Sequence, residues 1–484
     1  MTEHRLIIIG SGFAGIGAAI RLKQAGVHDF VILERAADLG GVWRDNSYPG
    51  CACDVESHLY EFAFAPNPDW TRRFSPSAEI RAYLRDCAER FGVTAHVRYD
   101  ETVADAAWDD GAARWRVTSS GGEYTAGLLV AATGALSEPR LPDLPGIRQF
   151  QGPVFHSAQW DHGVDLTGRQ VAVLGTGASA VQFIPAVQPR VGRLTVFQRT
   201  PGWVIPRHDR ATPSSARALF RRFPAAQRIF RSQIDLYHET LGVGFRHPAV
   251  MRMLSLKARR HLRKSVPDPV LRQRLTPDFM PGCKRILLSD DYLPALTRPN
   301  VEVVSGAATG ITPTGVVGSD GVERPADVII CGTGFQVTEF PFARWVHGRD
   351  GTTLEEAWRP SAVAHLGTTV AGFPNLFIVP GPNTGLGHSS VIMMFEAQID
   401  HLLDTVRHMD AHRLAAVEPK PEVQAAYVAE VDRQMARTVW VTGGCRSWYL
   451  DASGRNSTLW PGTPRQFRRR VERFLPKEYL LRHA

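Results

Sequence analysis

One pattern occurs twice in this chain and limits its fold more than any other feature. Leu6-Ile-Ile-Ile9 leads into Gly10-Ser-Gly12-Phe-Ala-Gly15, and Val171-Ala-Val-Leu174 leads into Gly175-Thr-Gly177-Ala-Ser-Ala180. Each glycine-rich stretch lies between a short apolar run, typical of a buried parallel strand, and a stretch typical of a helix. A single GxGxxG is weak evidence, but two copies in this setting predict two dinucleotide-binding folds.

Each glycine position of the pattern has its own physical role. The first permits a tight turn, the second lets the backbone approach a pyrophosphate, and the third lets helix and strand pack closely. Ala180 is a tolerated variant at the third position. The pyrophosphate then binds to unpaired N–H groups at the helix start. Beside these positions, the expected contacts are Phe13 and Ala14 in the first loop, and Thr176, Ala178 and Ser179 in the second.

The two copies differ at the end of the next strand. Glu34 follows Gly15 by about 20 residues, the spacing at which an acid accepts a ribose 2′-hydroxyl. Arg199 has the same position in the second copy, and a guanidinium binds the 2′-phosphate that a carboxylate would repel. We therefore expect FAD in the first fold, beside Glu34 and Arg35, and NADPH in the second. The alternative is that Arg199 is only a surface cation.

Each fold ends in a similar short sequence motif. Apolar strands run into Thr133-Gly134 and into Thr333-Gly334. This organisation resembles that of two-dinucleotide-domain flavoproteins and implies a doubly wound α/β fold with the NADPH domain inserted in the FAD domain. The predicted boundaries are 1–145 and 334–484 for the FAD domain, 146–205 and 282–333 for the NADPH domain, and 206–281 for a helical insertion.

Composition narrows the function classes. The chain has 484 residues, 44% of them hydrophobic, and a net charge of +8. The positive charge is concentrated between residues 216 and 275, which contain 14 Lys and Arg but only three acidic residues. No nucleic-acid module accompanies these cations. A solvated helical face is the favoured interpretation, with steering of an anionic cofactor or peripheral contact with a membrane as the less favoured alternatives. Without a leader or a long apolar run, a cytoplasmic location is expected.

The six cysteines suggest neither a metal site nor a disulfide framework. None forms a zinc-type Cys-x-x-Cys pair, and a chain of this length does not need disulfides to fold. Cys51-Ala-Cys53 is a candidate redox pair, but small packing residues are the simpler interpretation. No metal is expected.

The segment between the two folds carries a second kind of signal. Residues 150–161 read FxGxxxHxxxWD, with the fixed positions at Phe150, Gly152, His156, Trp160 and Asp161. This resembles the fingerprint of the Baeyer–Villiger monooxygenases, which are class B flavoproteins related to the flavin-containing monooxygenases. The Trp-Asp ending favours the ketone-oxidising branch of that group.

Further stretches carry the same resemblance across nearly the whole chain. Residues 40–54 contain a glycine pair, a Trp, an aromatic-Pro-Gly and an Asp, and Lys284-Arg285 matches the family's basic pair. The N-terminal extension of many family members is absent. The resemblance implies cofactor contacts by Gly41, Trp43, Tyr48, Asp54, Thr133, Gly134, Thr333, Gly334 and Asn383.

The resemblance also implies a reaction. NADPH reduces FAD, O2 gives a C4a-peroxyflavin, and its attack on a ketone yields an ester or lactone. Arg285 is expected to stabilise the negative charge, with Asp54 as the partner that orients it. The alternatives are a structural ion pair for Arg285 and an N-cap of a helix over residues 55–60 for Asp54.

Other residues receive weaker assignments. The resemblance implies that Arg199, Thr200 and Lys284 bind the 2′-phosphate, and that His156 supports movement of the linker rather than acid–base chemistry. Trp448 lines the pocket or belongs to the core. Rival activities are N- or S-oxygenation on the same scaffold and NADPH-dependent disulfide reduction through Cys51 and Cys53. The ketone and the oligomeric state are not predicted.

Overall fold

The computed structural model describes residues 2–483, apart from the side chains of residues 248 and 249. Strands of that range are β1 (Thr2–Ile9), β2 (Phe30–Leu33), β3 (Val97–Arg98), β4 (Val103–Asp109), β5 (Arg114–Ser119), β6 (Gly122–Ala131), β7 (Val154–His156), β8 (Gln170–Leu174), β9 (Arg193–Gln198), β10 (Val204–Ile205), β11 (Leu287–Leu288), β12 (Val301–Ser305), β13 (Ala308–Thr312), β14 (Gly315–Gly318), β15 (Glu323–Pro325), β16 (Val328–Cys331), β17 (Val346–His347), β18 (Leu376–Ile378), β19 (Leu414–Pro419) and β20 (Tyr479–His483).

The α-helices of the same range follow in chain order. They are α1 (Phe13–Gln24), α2 (Val42–Asp45), α3 (Ser77–Arg90), α4 (Ala178–Val187), α5 (Ser214–Arg222), α6 (Pro224–Gly244), α7 (Pro248–Ser265), α8 (Pro269–Arg274), α9 (Tyr292–Ala295), α10 (Leu354–Ala357), α11 (Val391–His412), α12 (Pro421–Met435), α13 (Val439–Thr442) and α14 (Pro464–Val471).

The first glycine loop leaves the central strand of the larger sheet. That sheet has the order β17-β4-β5-β6-β1-β2-β3, with β18 also paired to β6, and β1 is parallel to both of its neighbours. The last four residues of β1 are buried, and α1 packs against them as the crossover to β2. A ligand at the carboxyl end of β1 therefore meets the start of α1, as in other doubly wound sheets.

The second glycine loop has the same setting in a smaller sheet. The order is β12-β9-β8-β16-β7, all neighbours are parallel, and α4 connects β8 to β9. The linker strand β7 forms one edge and pairs with β16. The smaller sheet is parallel throughout, whereas β4, β5 and β6 pair antiparallel in the larger one. A glycine loop at a parallel strand–helix–strand crossover in each sheet confirms the predicted fold class.

Between 206 and 281 the described segments of regular structure are the helices α5 to α8. The inner side of α6 meets the FAD-domain segment around residue 58, where Arg231 Nη1 donates to the carbonyl oxygen of His58 over 3.0 Å. Within residues 2–483, no helix combines the length and the apolar character needed to cross a bilayer. Residues 55–60 form turns, so the alternative in which Asp54 caps a helix over these residues is wrong.

Candidate functional site

In the first glycine loop, the space beside the second glycine is open, whereas the third glycine is tightly packed. A Cβ on Gly15 would lie 1.9 Å from the carbonyl oxygen of Gly10, so α1 and β1 approach too closely for any side chain. A Cβ on Gly12 meets nothing nearer than Gly41 Cα, at 3.8 Å. No side chain caps the start of α1 and no acid lies in its first turn. The free N–H groups and open backbone fit a pyrophosphate.

Glu34 is buried directly beneath this loop. Its carboxylate accepts from Ser11 N at 2.9 Å, Ser11 Oγ at 2.7 Å, Ala36 N at 3.0 Å and Arg44 Nη1 at 2.9 Å. These four bonds use the acceptor capacity of a carboxylate, so a ribose hydroxyl would share or replace one of them. The neighbouring Arg35 pairs with Glu138 of the linker.

The second glycine loop repeats the geometry with one change. A Cβ on Gly175 would lie 2.5 Å from the carbonyl oxygen of Gly332, whereas the nearest atom to one on Gly177 is 4.0 Å away. Ala180 is fully buried against the end of β16 near Gly332, which leaves room for one methyl group there. The start of α4 also lacks a side-chain cap. This loop fits a second pyrophosphate.

Two cations lie together beside the second loop. Arg199 is exposed just after β9, and Lys284 Nζ lies 5.0 Å from the ring centre of Phe279. Burial and the nearby positive charge of Arg199 lower the pKa of Lys284. Neither cation has an ion-pair partner among residues 2–483, and like charges held together in this way suit a bound anion. Thr176 Oγ1 donates to the carbonyl oxygen of Thr200 over 3.4 Å.

Arg285 and Asp54 form a two-pronged ion pair between the two folds. Arg285 Nε donates to Asp54 Oδ2 over 2.7 Å, and its Nη2 donates to Oδ1 over 2.8 Å. The third nitrogen, Nη1, lies 3.4 Å from the carbonyl oxygen of Leu386. The two side chains are 25% and 27% exposed, so one edge of the guanidinium remains accessible.

The electrostatics of this pair keep both groups charged. The Asp54 charge, against the effect of burial, raises the pKa of Arg285 above its already high ordinary value. Burial raises the pKa of Asp54, but the Arg285 charge and hydrogen bonds outweigh it and lower the pKa. The site therefore carries a fixed guanidinium whose orientation is set by a carboxylate.

Polar atoms without protein partners occur at Tyr449 and in the segment that follows Leu386, whose carbonyl oxygen Arg285 approaches. Within residues 2–483, both ring nitrogens of His388, the hydroxyls of Ser389 and Ser390 and the Tyr449 hydroxyl are buried and make no hydrogen bond. Burial, with the charges of His238 and Arg285, lowers the pKa of His388 to about 3. Burial raises the pKa of Tyr449 to about 12, against the opposing charge of Arg285. Such groups need a partner that a bound cofactor or substrate can supply.

The sequence pointed to Trp448, the direct neighbour of Tyr449. Trp448 is 45% exposed, while Tyr449 is buried and faces Arg285. His388 and the two serines were not singled out, although a run of polar residues directly before a helix is a signal that could have found them. Asn383 uses its side chain internally, donating to the Asn456 and Leu459 carbonyl oxygens at 2.7 and 3.0 Å.

The linker fingerprint lies at the edge of the smaller sheet. A Cβ on Gly152 would lie 2.1 Å from the carbonyl oxygen of Asp327, so this position requires glycine. His156 ends β7, accepts from Ala158 N at 3.1 Å and lies beside Phe335, where the chain returns to the larger fold. Trp160 packs against Phe155 and Phe183, Phe150 packs against a neighbouring apolar cluster, and Asp161 accepts from Gly163 N.

The aromatic-Pro-Gly stretch docks on the second fold. Tyr48 Oη donates to Gln182 Oε1 over 2.9 Å, and Gln182 Nε2 donates to the carbonyl oxygen of Ala52 over 2.9 Å. Gln182 on α4 therefore joins the two folds, a role that no sequence pattern indicated. Trp43 donates to Tyr60 Oη over 3.1 Å beneath the first loop.

The two Thr-Gly turns lie at the crossing between the folds. Gly134 and Gly334 have φ values of +73° and +85°, which favour glycine. Thr333 Oγ1 donates to the carbonyl oxygen of Arg140, and Gly334 accepts from Arg140 N at 2.9 Å. These bonds join the segment that leaves the first fold after Thr133 to the segment that returns to it after Thr333.

Comparison with known proteins decides the family. A Baeyer–Villiger monooxygenase of Streptomyces coelicolor is 51% identical over 480 residues, covering 99% of this chain and 92% of its own. One of Pseudomonas aeruginosa is 46% identical over 481 residues, covering 99% and 91%. This chain belongs to the Baeyer–Villiger monooxygenases. The family pattern described as pyridine nucleotide-disulphide oxidoreductase also matches residues 7–216.

Solved structures agree with this assignment. A closed crystal structure of cyclohexanone monooxygenase matches with a TM-score of 0.89 and 28% identity, covering 100% of both chains. The OTEMO complex with FAD and NADP (form 4) matches with a TM-score of 0.90 and 28% identity, covering 99% of both. The resemblance predicted from the fingerprint is confirmed.

The cysteines of this monooxygenase do not form a redox centre at Cys51 and Cys53. Both are free and buried, and burial raises the pKa of each, which disfavours the thiolate that redox chemistry requires. The expectation that the chain has no disulfide is wrong. Cys283 and Cys445, 162 residues apart, are joined, and the bond links the residue before Lys284 to the loop that carries Tyr449. Spacing cannot predict such a pair.

Proposed function

We propose that this Baeyer–Villiger monooxygenase holds FAD on the α1 loop and NADPH on the α4 loop and converts a ketone to an ester or lactone with O2. The observation that carries the proposal is Arg285, fixed by Asp54 between the two loops with one edge accessible. When bound, FAD accepts hydride from NADPH and activates O2. The ion pair and its unpartnered neighbours provide a polar site where the two cofactors meet.

Arg285 stabilises negative charge on the reacting oxygen atoms. A guanidinium keeps its proton at every physiological pH, so it favours an anionic oxidant and then the oxyanion formed from the ketone carbonyl. Asp54 orients the guanidinium and prevents the cost of an unpaired buried cation. An S-oxygenase, whose oxidant carries its proton, would not need this charge, and the family assignment also favours ketone oxidation.

The α4 side of the site selects NADPH. The Arg199 and Lys284 cations lie beside a loop that fits a pyrophosphate, at the position where a 2′-phosphate follows the adenosine ribose. Thr200 is next to Arg199 and can donate to the same phosphate. Glu34, a carboxylate at the corresponding place in the first fold, suits a cofactor without that phosphate.

Product analysis tests the proposal directly. The FAD-loaded enzyme is incubated with NADPH, ¹⁸O2 and a panel of aliphatic, aryl and polycyclic ketones, and the products are identified by mass spectrometry. We expect an ester or lactone that carries one ¹⁸O atom and forms in step with NADPH oxidation. NADPH oxidation that yields only hydrogen peroxide with every ketone would overturn the proposal.

A sulfide in the same assay separates the rival activity. If the enzyme oxidises thioanisole rapidly but no ketone of the panel, it is a heteroatom oxygenase and the role assigned to Arg285 is wrong. If ketone products dominate, the ketones ranked by kcat/KM then define the substrate class.

A further inference from the structure

The outer surface of the helical insertion is unusually apolar. Of the 18 large hydrophobic side chains that are most exposed in residues 2–483, 11 lie between residues 219 and 270. Single exposed hydrophobic residues are ordinary, but this concentration in the helices α5 to α8 and the turns between them is not. The surface is defined here as the insertion face and comprises Ile229, Leu236, Tyr237 and Val243 of α6 and Val250, Met253 and Leu256 of α7.

The insertion face is the side of each helix that points away from the protein. On α7, Met251 and Ala258 pack into a buried cluster together with Phe245 and Trp440. Met253 and Leu256 lie on the opposite side at helical spacing and are 71% and 68% exposed. The apolar stripe continues around the α6–α7 turn, because Val243 and Val250 adjoin Gly244, whose added Cβ would lie 3.0 Å from Val250.

Cations surround the apolar side chains of α7, and acids do not. Residues 248–265 contain six Lys or Arg and no Asp or Glu, and none of the six makes an ion pair with any part of the chain that the structure describes. Arg260 and Lys264 follow Met253 and Leu256 on the same outward side of the helix. The two acids of α6, Asp235 and Glu239, are held by Arg465.

We propose that the insertion face docks on an anionic lipid bilayer. Apolar side chains at the centre of an amphipathic basic helix enter the boundary between headgroups and acyl chains, while the flanking cations bind lipid phosphates. A second copy of this chain fits less well, since a twofold contact would bring two sets of six cations together. The phosphate backbone of a nucleic acid would pair with the cations but would leave Met253 and Leu256 against charged groups and water.

The insertion face lies on the outer side of α6, whose inner side contacts the candidate active site. The inner side of α6 contacts the segment that carries Asp54, because His238 Nε2 and Glu56 Oε2 lie 2.7 Å apart. Apolar ketones concentrate in bilayers, so the same insertion would lie between the lipid phase and the site. This last consequence rests on the proposed function, whereas the docking itself does not.

Vesicle co-sedimentation tests docking without any activity measurement. The FAD-loaded enzyme is mixed with phosphatidylcholine vesicles that contain or lack phosphatidylglycerol. We expect binding only to the anionic vesicles, with weaker binding as the salt concentration rises. Equal binding to both vesicle types, or to neither, would overturn the proposal.

Variants locate the contact. Met253→Asp combined with Leu256→Asp should abolish binding, and Arg260→Gln combined with Lys264→Gln should weaken it roughly 30-fold. Val322→Asp is the matched control, because Val322 is 52% exposed in the turn between β14 and β15, outside the insertion. This variant should bind like the unaltered enzyme. Flavin reduction by NADPH verifies that each variant is folded.

Two further outcomes identify a different occupant. One is a dimer, detected by light scattering after size exclusion, that Met253→Asp with Leu256→Asp dissociates. The other is duplex DNA that displaces the enzyme from vesicles and binds it more tightly. Either result would replace the lipid surface by another partner. A monomer that prefers anionic vesicles over DNA supports the proposal.

Discussion

Arg285 and Asp54 are 231 residues apart in the chain, yet they face each other through two nearly parallel hydrogen bonds of 2.7 and 2.8 Å. Arg285 comes from the second fold and Asp54 from the first. Their pairing therefore assembles the site only when both folds are docked. The contact to which we assign a role in the chemistry therefore also depends on the relative placement of the two glycine loops.

Replacement of Arg285 should separate two activities. We expect Arg285→Ala to lower kcat for a ketone by roughly 10²–10³-fold, the usual effect of removing one group that stabilises an oxyanion. Oxidation of a sulfide should be retained, because its oxidant needs no cation. Steady-state kinetics with both substrates measures the difference, and Arg298→Ala, an exposed arginine, is the control. Equal loss of both activities contradicts the role assigned to Arg285.

The cation pair beside the α4 loop should control the choice of coenzyme. Arg199→Ala and Lys284→Ala should each raise KM for NADPH by roughly 10–100-fold, because each removes a charge-assisted hydrogen bond to the 2′-phosphate. KM for NADH should change little. Arg413→Ala, at the exposed C-terminal end of α11, is the control. A parallel rise for both coenzymes would mean that these cations support the fold rather than the phosphate.

The disulfide should be detectable by counting thiols. The enzyme unfolded without reductant should bind four alkylating groups, at the free residues Cys51, Cys53, Cys87 and Cys331, and after reduction it should bind six. Cys445→Ser should lower the free energy of unfolding by roughly 2–4 kcal/mol, since a long loop is no longer closed. Reductant should lower the stability of the unaltered enzyme by a similar amount and leave that of Cys445→Ser unchanged, which serves as the control. Six thiols before reduction would show that the pair is not bonded.

The Glu56–His238 contact should make part of the stability depend on pH. Burial lowers the pKa of His238, but the Glu56 hydrogen bond and charge outweigh it and raise the pKa above its ordinary 6.5. Burial raises the pKa of Glu56, and His238 outweighs this and lowers it from 4.5 to about 2. The contribution is therefore full between about 4.5 and 6.5, lost at higher pH as His238 deprotonates and lost at acid pH as Glu56 protonates.

Urea unfolding at two pH values measures this contribution. His238→Gln should destabilise the enzyme more at pH ~5.5 than at pH ~9, because the imidazolium that the variant lacks is present only at the lower pH. His412→Gln, at the exposed end of α11, is the control and should show no such difference. If His238→Gln costs the same at both pH values, His238 is not charged in the folded enzyme.

Local patterns were sufficient for the parts of the fold that depend on neighbouring residues. The apolar runs of residues 6–9 and 171–174, predicted as buried strands, form the carboxyl ends of β1 and β8. Buried parallel strands are apolar runs, and the glycine loops between them have few steric alternatives. The nucleotide folds and their family were therefore predictable.

Distant contacts were not predictable in the same way. The sequence suggested a helix after Asp54, but residues 55–60 form turns, because Glu56 and His58 are held by side chains of α6 rather than by a helical ladder. Glu34 was assigned to a ribose, and the fold shows that its oxygens already bind the loop and Arg44. Tyr449 was passed over in favour of Trp448, since burial on a loop has no periodic signal.

The sequence by itself determined two glycine-loop folds and the linker fingerprint that carries the family resemblance, and it predicts a coenzyme preference at Arg199. These features depend on residues close together in the chain, where sterics and charge act locally. Only the tertiary structure decided that Arg285 meets Asp54, that Cys283 bonds Cys445 and that Gln182 joins the folds. Such contacts result from packing elements that are far apart in sequence, and no local pattern encodes which pairs will meet.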